Sequence, residues 1–520
     1  MAERIALYSY RAVFLDSIHR FIPVNTAEYA LLQTPFLRRL HDVRQLGFVF
    51  LVFPSAKHTR FEHTLGVMHV AGRIAERLLG NGAMSVVSKA STGTGAFIQL
   101  ARLAGLIHDI GHPPYSHTLE KGLERAVLYP EDFGLNPQRV ARPDWGRFDK
   151  LHEYIGEAFA LKLAELVEKA KMPEEVNNEE LAGLIEAAAS AVFRTRPTRR
   201  ALEALEDLGL EEGAIEIVSQ IISHKYVDAD RVDYLMRDAY NTGVVFGYID
   251  LERLITDVKV SREGERYEVV YGPKSIPALE DLYDARFKMY RSVYLHHKVV
   301  ALAVSIIHVL RHLFTNWGDV AGGHVAECLG SPEEFLDPGR LADCIAESRM
   351  YWDDTEFNTL VRSLAKTRGP GARWARALGE RRDLLPISLI KRPDRIVSRV
   401  AEALGPQRAS TALEEAVRRL KSESVVSEWY RYKKVYGVEQ DAVVERIVRA
   451  DPTERPKLPG RAYSLYLDGV ISMASAPLPF VYAFSDDEKA HSMARRLAGE
   501  ARAFVEDWLV SRALAIARRS

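Results

Sequence analysis

Apolar residues recur every three to four positions along most of the chain, and this spacing predicts a mainly helical protein. One such helix runs from Phe61 to Ile74 and stops at the Gly-Asn-Gly of 80–82. Another spans Phe97–Asp109, and Pro113-Pro114 prevents its simple continuation. We therefore expect a mainly α fold.

The rest of the pattern predicts few strands and a change in composition after a long helix over about 277–314. Alternation typical of strands is found in segments such as 256–274 and 479–484. The charged stretch 168–212 is predicted to be a peripheral helical insertion. A long helix is predicted over about 277–314, and the chain beyond it is richer in Gly, Pro and Arg. We predict a core over 1–315 and a mixed, helix-rich region of unknown role over 316–520.

Composition narrows the class of protein. The 520 residues are 47% hydrophobic and 27% charged, with a net charge of −1, so no global field favours nucleic acid or a membrane. The apolar stretch Val299–Leu310 is too short to span a bilayer. Two cysteines, Cys328 and Cys344, provide no disulfide framework, and this pattern is typical of a reducing cytoplasm. We expect a cytoplasmic protein with no membrane partner.

Three segments concentrate histidine and aspartate at predicted helix ends: TRFEH at 59–63, HDIGHPPYSHTLE at 108–120 and DADRVDYLMRD at 228–238. The adjacent pair His108-Asp109 follows an apolar helix, where an unpaired carboxylate would be costly. Imidazole and carboxylate together suit borderline or hard divalent metals. A bound cation lowers the pKa of its water and screens phosphate charge, so the pattern favours phosphate hydrolysis.

Together these motifs resemble the HD superfamily, and most closely its deoxynucleoside triphosphate triphosphohydrolase branch. The resemblance begins at VFLDSIH (13–19), continues through TPFLRRLHDVRQLG (34–47) and the three segments above, and reaches VYLH (293–296). It implies an HD helical core over 1–315. It also implies metal-dependent hydrolysis of dNTPs to deoxynucleoside and triphosphate, with water attacking the α-phosphorus.

The resemblance also implies roles for individual residues. One divalent ion (Mn, Mg, Fe, Ni or Zn) would be held by His63, His108, Asp109 and Asp230. The catalytic group would be His117, Glu120 and His152. Phosphates would contact Arg60, His112, Arg231 and Arg286. The sugar would contact Gln45, Tyr234, Asp238 and Tyr294. The first two catalytic residues are three apart, so on one helical face the carboxylate can orient the imidazole.

Some of these assignments have a simpler alternative. His152 is also compatible with an ordinary histidine at a helix start. Arg286 could equally lie on a solvated helix face, and Tyr294 could pack in the core. The positions that match the branch's nucleotide-activation site carry Ala12, Leu15, Gln33 and His41 here, so we expect no activation through that site. The resemblance also predicts a homo-oligomer.

Two other functions stay open. The chain could be an HD hydrolase of another phosphate ester, such as a nucleoside monophosphate or a guanosine nucleotide. It could also be a nucleic-acid-binding module, for which the basic stretches Arg194–Arg200 and Lys391–Arg399 are the support. The nearly neutral net charge does not favour nucleic-acid binding.

Overall fold

The computed structural model describes residues 4–88, 93–224, 227–263, 266–380, 387–388, 393–405, 408–409, 411–413, 415–416, 482–483 and 506–517. The first two residues of the basic stretch Lys391–Arg399 and most of the predicted strand 479–484 lie outside these ranges. The expected mainly α fold is confirmed.

A small antiparallel sheet opens the chain, with strands β1 (Arg4–Ile5), β2 (Tyr8–Asp16) and β3 (Arg20–Asn25) in that order. The sequence pattern did not predict it. Leu15 is 79% exposed although it is apolar, so both faces of β2 carry apolar side chains and the alternation of a half-buried strand is hidden. The inward Phe14 contacts Phe61 edge-on, with ring centroids 6.1 Å apart.

Between the sheet and residue 255, the described residues form the helices α1 (Thr26–Leu32), α2 (Pro35–Arg38), α3 (Arg60–Leu78), α4 (Met84–Val87), α5 (Gly93–Ile107), α6 (His117–Leu128), α7 (Leu151–Lys169), α8 (Asn178–Phe193), α9 (Arg199–Asp207), α10 (Gly213–Ile222), α11 (Ala229–Thr242) and α12 (Leu251–Ile255). Helices α3 and α5 pack closely because Gly105 has no side chain. A Cβ there would lie 2.7 Å from the Met68 Cα. This close contact brings the start of α3 near the end of α5.

The expectation of a peripheral insertion over 168–212 was wrong. Helix α8 packs against α5, α7 and α10, and nearly all of its residues are buried. Its alanine-rich sequence, with Gly183 facing the Arg200 backbone, lets neighbouring helices approach closely. Within 168–212, the charged helix α9 and the segments beside it are the exposed part that the composition suggested.

The predicted strand pair is present as β4 (Val258–Glu263) and β5 (Arg266–Tyr271), which pair antiparallel. The predicted long helix is interrupted. Helix α13 (Ile276–Met289) passes into a π-helical turn over Tyr290–Tyr294, and α14 (His297–Thr315) starts after it. Helix α14 is long and apolar enough to cross a membrane, but 71% of it is buried in the protein. Core helices pass the same test, so this is weak evidence for a membrane span.

The remaining elements are α15 (Trp317–Val320), α16 (Gly323–Cys328), α17 (Pro338–Ala346), α18 (Asp354–Lys366), α19 (Pro370–Glu380), β6 (Ile387–Ser388), α20 (Pro393–Leu404) and β7 (Tyr482–Ala483). Strands β6 and β7 pair antiparallel. Cys328 and Cys344 form a disulfide between α16 and α17. This pairing departs from the expectation of two reduced cysteines.

The chain divides into two compact units. One contains residues 1–286 and 314–360, and α17 packs on α7 within it. The other contains the described residues of 287–313, 361–443 and 456–520, and has a core of its own that includes Val400 and Leu509. The first unit carries the three histidine–aspartate segments. A boundary near 316 stays a prediction.

Candidate active site

Four side chains from three helices converge in the first unit. His63 lies in the first turn of α3, His108 and Asp109 follow the end of α5, and Asp230 lies in the first turn of α11. The His63 Nε2 is 3.2 Å from the His108 Nε2, 3.3 Å from the Asp109 Oδ2 and 3.1 Å from the Asp230 Oδ1. Metal–ligand bonds of about 2.1 Å place neighbouring ligands roughly 3–3.4 Å apart, so this spacing fits one ion.

The electrostatics of this cluster also fit a cation. Burial alone would lower the pKa of His108, but the charge and hydrogen bonds of Asp109 and Asp230 outweigh it and raise that pKa to about 9. Burial alone would raise the pKa of Asp109, yet Arg60 and the neighbouring histidines hold it well below its usual range. The carboxylates therefore stay ionised, and their field favours positive charge between them.

A second cluster contains the three residues predicted to be catalytic. Glu120 lies in the first turn of α6, and its Oε2 accepts a hydrogen bond from the His117 Nδ1 at 2.7 Å. Its Oε1 accepts from the His152 Nδ1 at 2.6 Å and from the His152 backbone N–H at 2.8 Å. Burial would raise the pKa of Glu120, but the two histidines outweigh it and hold this pKa well below its ordinary value. One buried carboxylate thus fixes both imidazoles.

Two predicted phosphate contacts lie between these clusters. Arg60 is ion-paired with Asp109 and donates from its Nε to the Ser116 Oγ at 2.7 Å. The His112 Nε2 is 3.3 Å from the Asp109 Oδ1, and its ring stacks on His152 with centroids 3.8 Å apart. The Arg60 Nη2 and the His112 Nδ1 are buried without a hydrogen-bond partner among the described residues. Burial and the charge of Arg60 hold the pKa of His112 well below its usual value, so its proton lies on the Nε2 that faces Asp109 and its Nδ1 is an acceptor. Of these two atoms, the Arg60 Nη2 can donate to an anion.

The other two predicted phosphate contacts lie around Asp228. The Arg231 Nη1 is 3.0 Å from the Asp228 Oδ2 and donates to the His224 carbonyl at 2.6 Å. Burial raises the pKa of Asp228 above its ordinary value, and the charges of Arg231 and Arg286 act against this rise. Arg231 therefore binds groups next to the N-terminus of its own helix, α11, and its contact with a phosphate stays a prediction.

Of the four residues predicted to contact the sugar, three belong to the first unit and one belongs to the second. The Gln45 Oε1 is buried and has no hydrogen-bond partner among the described residues. Asp238 accepts a hydrogen bond from the His58 Nε2 at 2.8 Å, and Tyr234 lies one turn before it on α11. Tyr294 belongs to the second unit, where its ring meets Tyr290 edge-on at 5.0 Å.

The loop between α5 and α6 is strained and is held from two sides. Tyr115 and Ser116 have φ of 54° and 52°, a conformation that costs free energy and persists only where the surroundings enforce it. The Arg39 Nη2 donates to the His112 carbonyl at 2.8 Å. The Asp354 Oδ1 accepts from the Tyr115 N–H at 2.6 Å, and the Asn358 Nδ2 donates to the Tyr115 hydroxyl at 2.7 Å. The start of α18 therefore supports the loop that carries His112 and leads to His117.

We expect Asp354→Ala to lower the turnover number about 10- to 100-fold while metal content stays at the wild-type level. The substitution removes an acceptor that holds the strained backbone at Tyr115, and small displacements of catalytic groups have effects of this size. Steady-state kinetics with metal analysis checks it. Asp343→Ala on α17 is the control, since that exposed carboxylate pairs with Lys162. Equal turnover numbers for the two variants would contradict the supporting role.

Sequence reasoning missed His58 and Asp354. His58 directly precedes the TRFEH segment, so its position was a usable signal. Asp354 has no such signal, because it is more than 230 residues away from the loop that it supports and only the fold brings it there.

Comparisons with known proteins agree with this geometry. The family model described as HD domain matches residues 60–223, which include three of the four converging metal-ligand candidates. An uncharacterized protein of Methanocaldococcus jannaschii, MJ1154, is 31% identical over 287 residues, which are 55% of this chain and 46% of that protein. The uncharacterized protein YwfO of Bacillus subtilis is 28% identical over 303 residues, 58% of this chain and 56% of that protein.

Two further proteins match at lower identity. The deoxynucleoside triphosphate triphosphohydrolase SAMHD1 of Xenopus laevis is 26% identical over 365 residues, which are 69% of this chain and 54% of that protein. The chain thus spans about half the length of the curated relatives it matches. A hypothetical protein from Aquifex aeolicus has a crystal structure with a TM-score of 0.55 and 24% identity, covering 95% of this chain and 99% of that one. That likeness shows the fold.

Proposed function

We propose that this chain, which carries an HD domain related to the dNTP triphosphohydrolase branch of the HD superfamily, hydrolyses dNTPs to deoxynucleoside and triphosphate. The observation that carries the proposal is the position of Asp109. Its Oδ2 faces His63 and His108, whereas its Oδ1 faces His112, which stacks on His152. The candidate metal centre and the histidine–glutamate cluster are therefore adjacent parts of one site.

HD domains bind a divalent metal, and His63, His108 and Asp230 form a group that could hold one. The Asp109 Oδ2 adds to this group, at 3.3 Å from the Nε2 of each histidine. When bound, the ion would lower the pKa of water and polarise a phosphate oxygen. The chain's own residues bind and orient the substrate. Arg60 has a buried donor, its Nη2, without a partner in the described structure. This donor can orient the α-phosphate for in-line attack.

The leaving 5′-oxygen needs a proton, and His117 is placed to supply it. Its Nδ1 is bound to Glu120, which leaves its Nε2 for the substrate. Its side chain is 52% exposed, whereas those of Glu120 and His152 are buried. We infer that Glu120 accepts a hydrogen bond from the His117 Nδ1, so that the protonated imidazole donates from its Nε2, and that His152 fixes the position of Glu120.

Product analysis tests this function. The purified protein is incubated with Mn²⁺ or Mg²⁺ and each dNTP, each NTP, a nucleoside monophosphate and a guanosine nucleotide. The buried, unpartnered Gln45 Oε1 and the Asp238–His58 pair favour a nucleoside sugar near the site. Inorganic triphosphate with deoxynucleoside supports the proposal. Orthophosphate released from a monophosphate would instead identify the alternative HD hydrolase.

We further propose a homo-oligomer. The resemblance is the main support. The outer face of the N-terminal sheet adds to it, because Val13, Leu15 and Phe21 are exposed there and the last two are cross-strand partners.

Hydrolysis should not require a guanine nucleotide as an activator. Binding a triphosphate at the position equivalent to the branch's activation site calls for Lys or Arg. Here that position has Ala12 and Leu15 on β2, Gln33 after α1, and His41, whose ring stacks on Phe61 at 3.5 Å. We expect the initial rate with one dNTP to change less than about twofold across a GTP series. A rate near zero that rises strongly with GTP would contradict this expectation.

A further inference from the structure

A buried carboxylate stands directly behind a metal-ligand candidate. Asp233 lies one turn after Asp230 on α11 and is completely buried. Its Oδ2 accepts a hydrogen bond from the His63 Nδ1 at 2.7 Å, on the side of the ring opposite the Nε2 that faces Asp109 and Asp230. Helix α11 thus contacts both nitrogens of the same imidazole, one with each aspartate.

This contact determines which nitrogen carries the proton. An ionised carboxylate can only accept a hydrogen bond, so the neutral His63 keeps its proton on Nδ1 and its lone pair on Nε2. A carboxylate in this position also makes the imidazole a stronger ligand. We propose that Asp233 is the positioning residue that holds His63 ready for the metal, and that the N-terminal hairpin of β2 and β3 belongs to the metal centre through it. This inference rests on the proposed metal site.

The hairpin of β2 and β3 is linked to Asp233 in two ways, directly by His19 and through Arg237 by Asp16. His19, in the turn after β2, has its Nε2 at 2.7 Å from the Asp233 Oδ1. Arg237 donates to both Asp233 oxygens at 2.9 Å, and its Nη1 donates to the Asp16 Oδ2 at 2.7 Å. The Asp16 Oδ1 also accepts from the Ile18 and His19 backbone N–H groups at 2.9 and 2.8 Å. The turn therefore holds Arg237 and His19, and these hold Asp233.

A glycine on α3 makes room for this arrangement. Gly66 lies one turn after His63, and a Cβ at this position would be 1.8 Å from the Asp233 Oδ1 and 2.5 Å from the Arg237 Nη2. The carboxylate can lie against α3 only because that residue has no side chain. Helix α3, which carries His63, therefore leaves space for Asp233, the carboxylate that orients His63.

The test measures metal affinity rather than activity. Metal-free full-length protein is titrated with Mn²⁺ by calorimetry, as wild type and as Asp233→Asn. The asparagine keeps the volume but loses the charge and one acceptor, and we expect Mn²⁺ to bind about 10- to 100-fold more weakly. The matched control is Glu28→Gln. Glu28 is equally buried and is bound by Arg102 at 2.6 Å, so its loss also breaks a buried ion pair.

A second variant tests whether the hairpin contributes to metal affinity, and it also controls for loss of affinity through misfolding. Asp16→Asn leaves Asp233 intact and weakens only the hold on Arg237, so we expect a smaller, severalfold loss of Mn²⁺ affinity at a melting temperature like that of Glu28→Gln. Wild-type Mn²⁺ affinity in both Asp233→Asn and Asp16→Asn would overturn this inference without contradicting the proposed metal site. Failure of the wild type to bind Mn²⁺ would overturn the proposed metal site, and this inference with it.

Discussion

Replacing His108 and Asp109 together by alanine should abolish phosphohydrolase turnover and leave the protein without its divalent ion. The double change removes two of the four candidate ligands and one of the two negative charges among them, so the site loses both its ligand geometry and its negative field. Asp109 also pairs with Arg60 and faces His112, so the substrate-binding side of the site loses its anchor as well. Metal analysis by mass spectrometry and product formation from a dNTP measure the two effects.

A matched control exists in the same unit. His41-Asp42 is another adjacent His-Asp pair, and both residues are exposed in the 3₁₀ turn after α2. The double alanine variant there should keep its metal and its turnover. Full metal occupancy in the variant at 108 and 109 would refute the ligand assignment. Turnover without metal in that variant would refute the metal-dependent mechanism.

The convergence of the metal-ligand candidates could be predicted from the sequence for a physical reason. A carboxylate at the end of an apolar helix needs a partner, so Asp109 after α5 indicated that other polar segments would meet it. His117 and Glu120 could be paired in the same way, because helical spacing alone places them on one face. Their measured contact of 2.7 Å agrees with that spacing.

The supporting residues could not be predicted, because their roles depend on tertiary contacts. Asp233 occurs in a segment with four aspartates, and nothing in the sequence separates the one that binds behind His63 from the others. Asp354 reaches the strained Tyr115 from a part of the chain whose composition indicated only a mixed region. Helix α8 was misjudged because charged flanks at 168–177 and 194–200 dominate the composition around a buried, alanine-rich segment.

Glu120→Gln should lower the turnover number about 10²- to 10⁴-fold without reducing metal content. Glu120 accepts from the Nδ1 atoms of both His117 and His152. A glutamine has a single acceptor oxygen and an amide that can only donate, so it cannot bind both imidazoles in the same tautomers. His117 would lose its orientation and the charge of Glu120, which counteracts the lowering of its pKa by burial. A loss of turnover in this range is expected when a general acid–base group is impaired. Single-turnover kinetics with each dNTP measures the chemical step directly.

Glu124→Gln is the control for this change, because Glu124 lies one turn later on α6 and accepts a hydrogen bond from the Leu151 N–H at 3.3 Å. Burial and the charge of Glu120 raise the pKa of Glu124 to about 7. Its conversion to a neutral amide therefore resembles a form that is already populated near neutral pH, and turnover should change little. The hydrogen bonds described for Glu120 are to His117 and His152 and not to the four metal-ligand candidates, so wild-type metal content is expected in both variants. Loss of the metal in Glu120→Gln, or equal turnover in the two variants, would show that Glu120 has a structural role and does not orient His117.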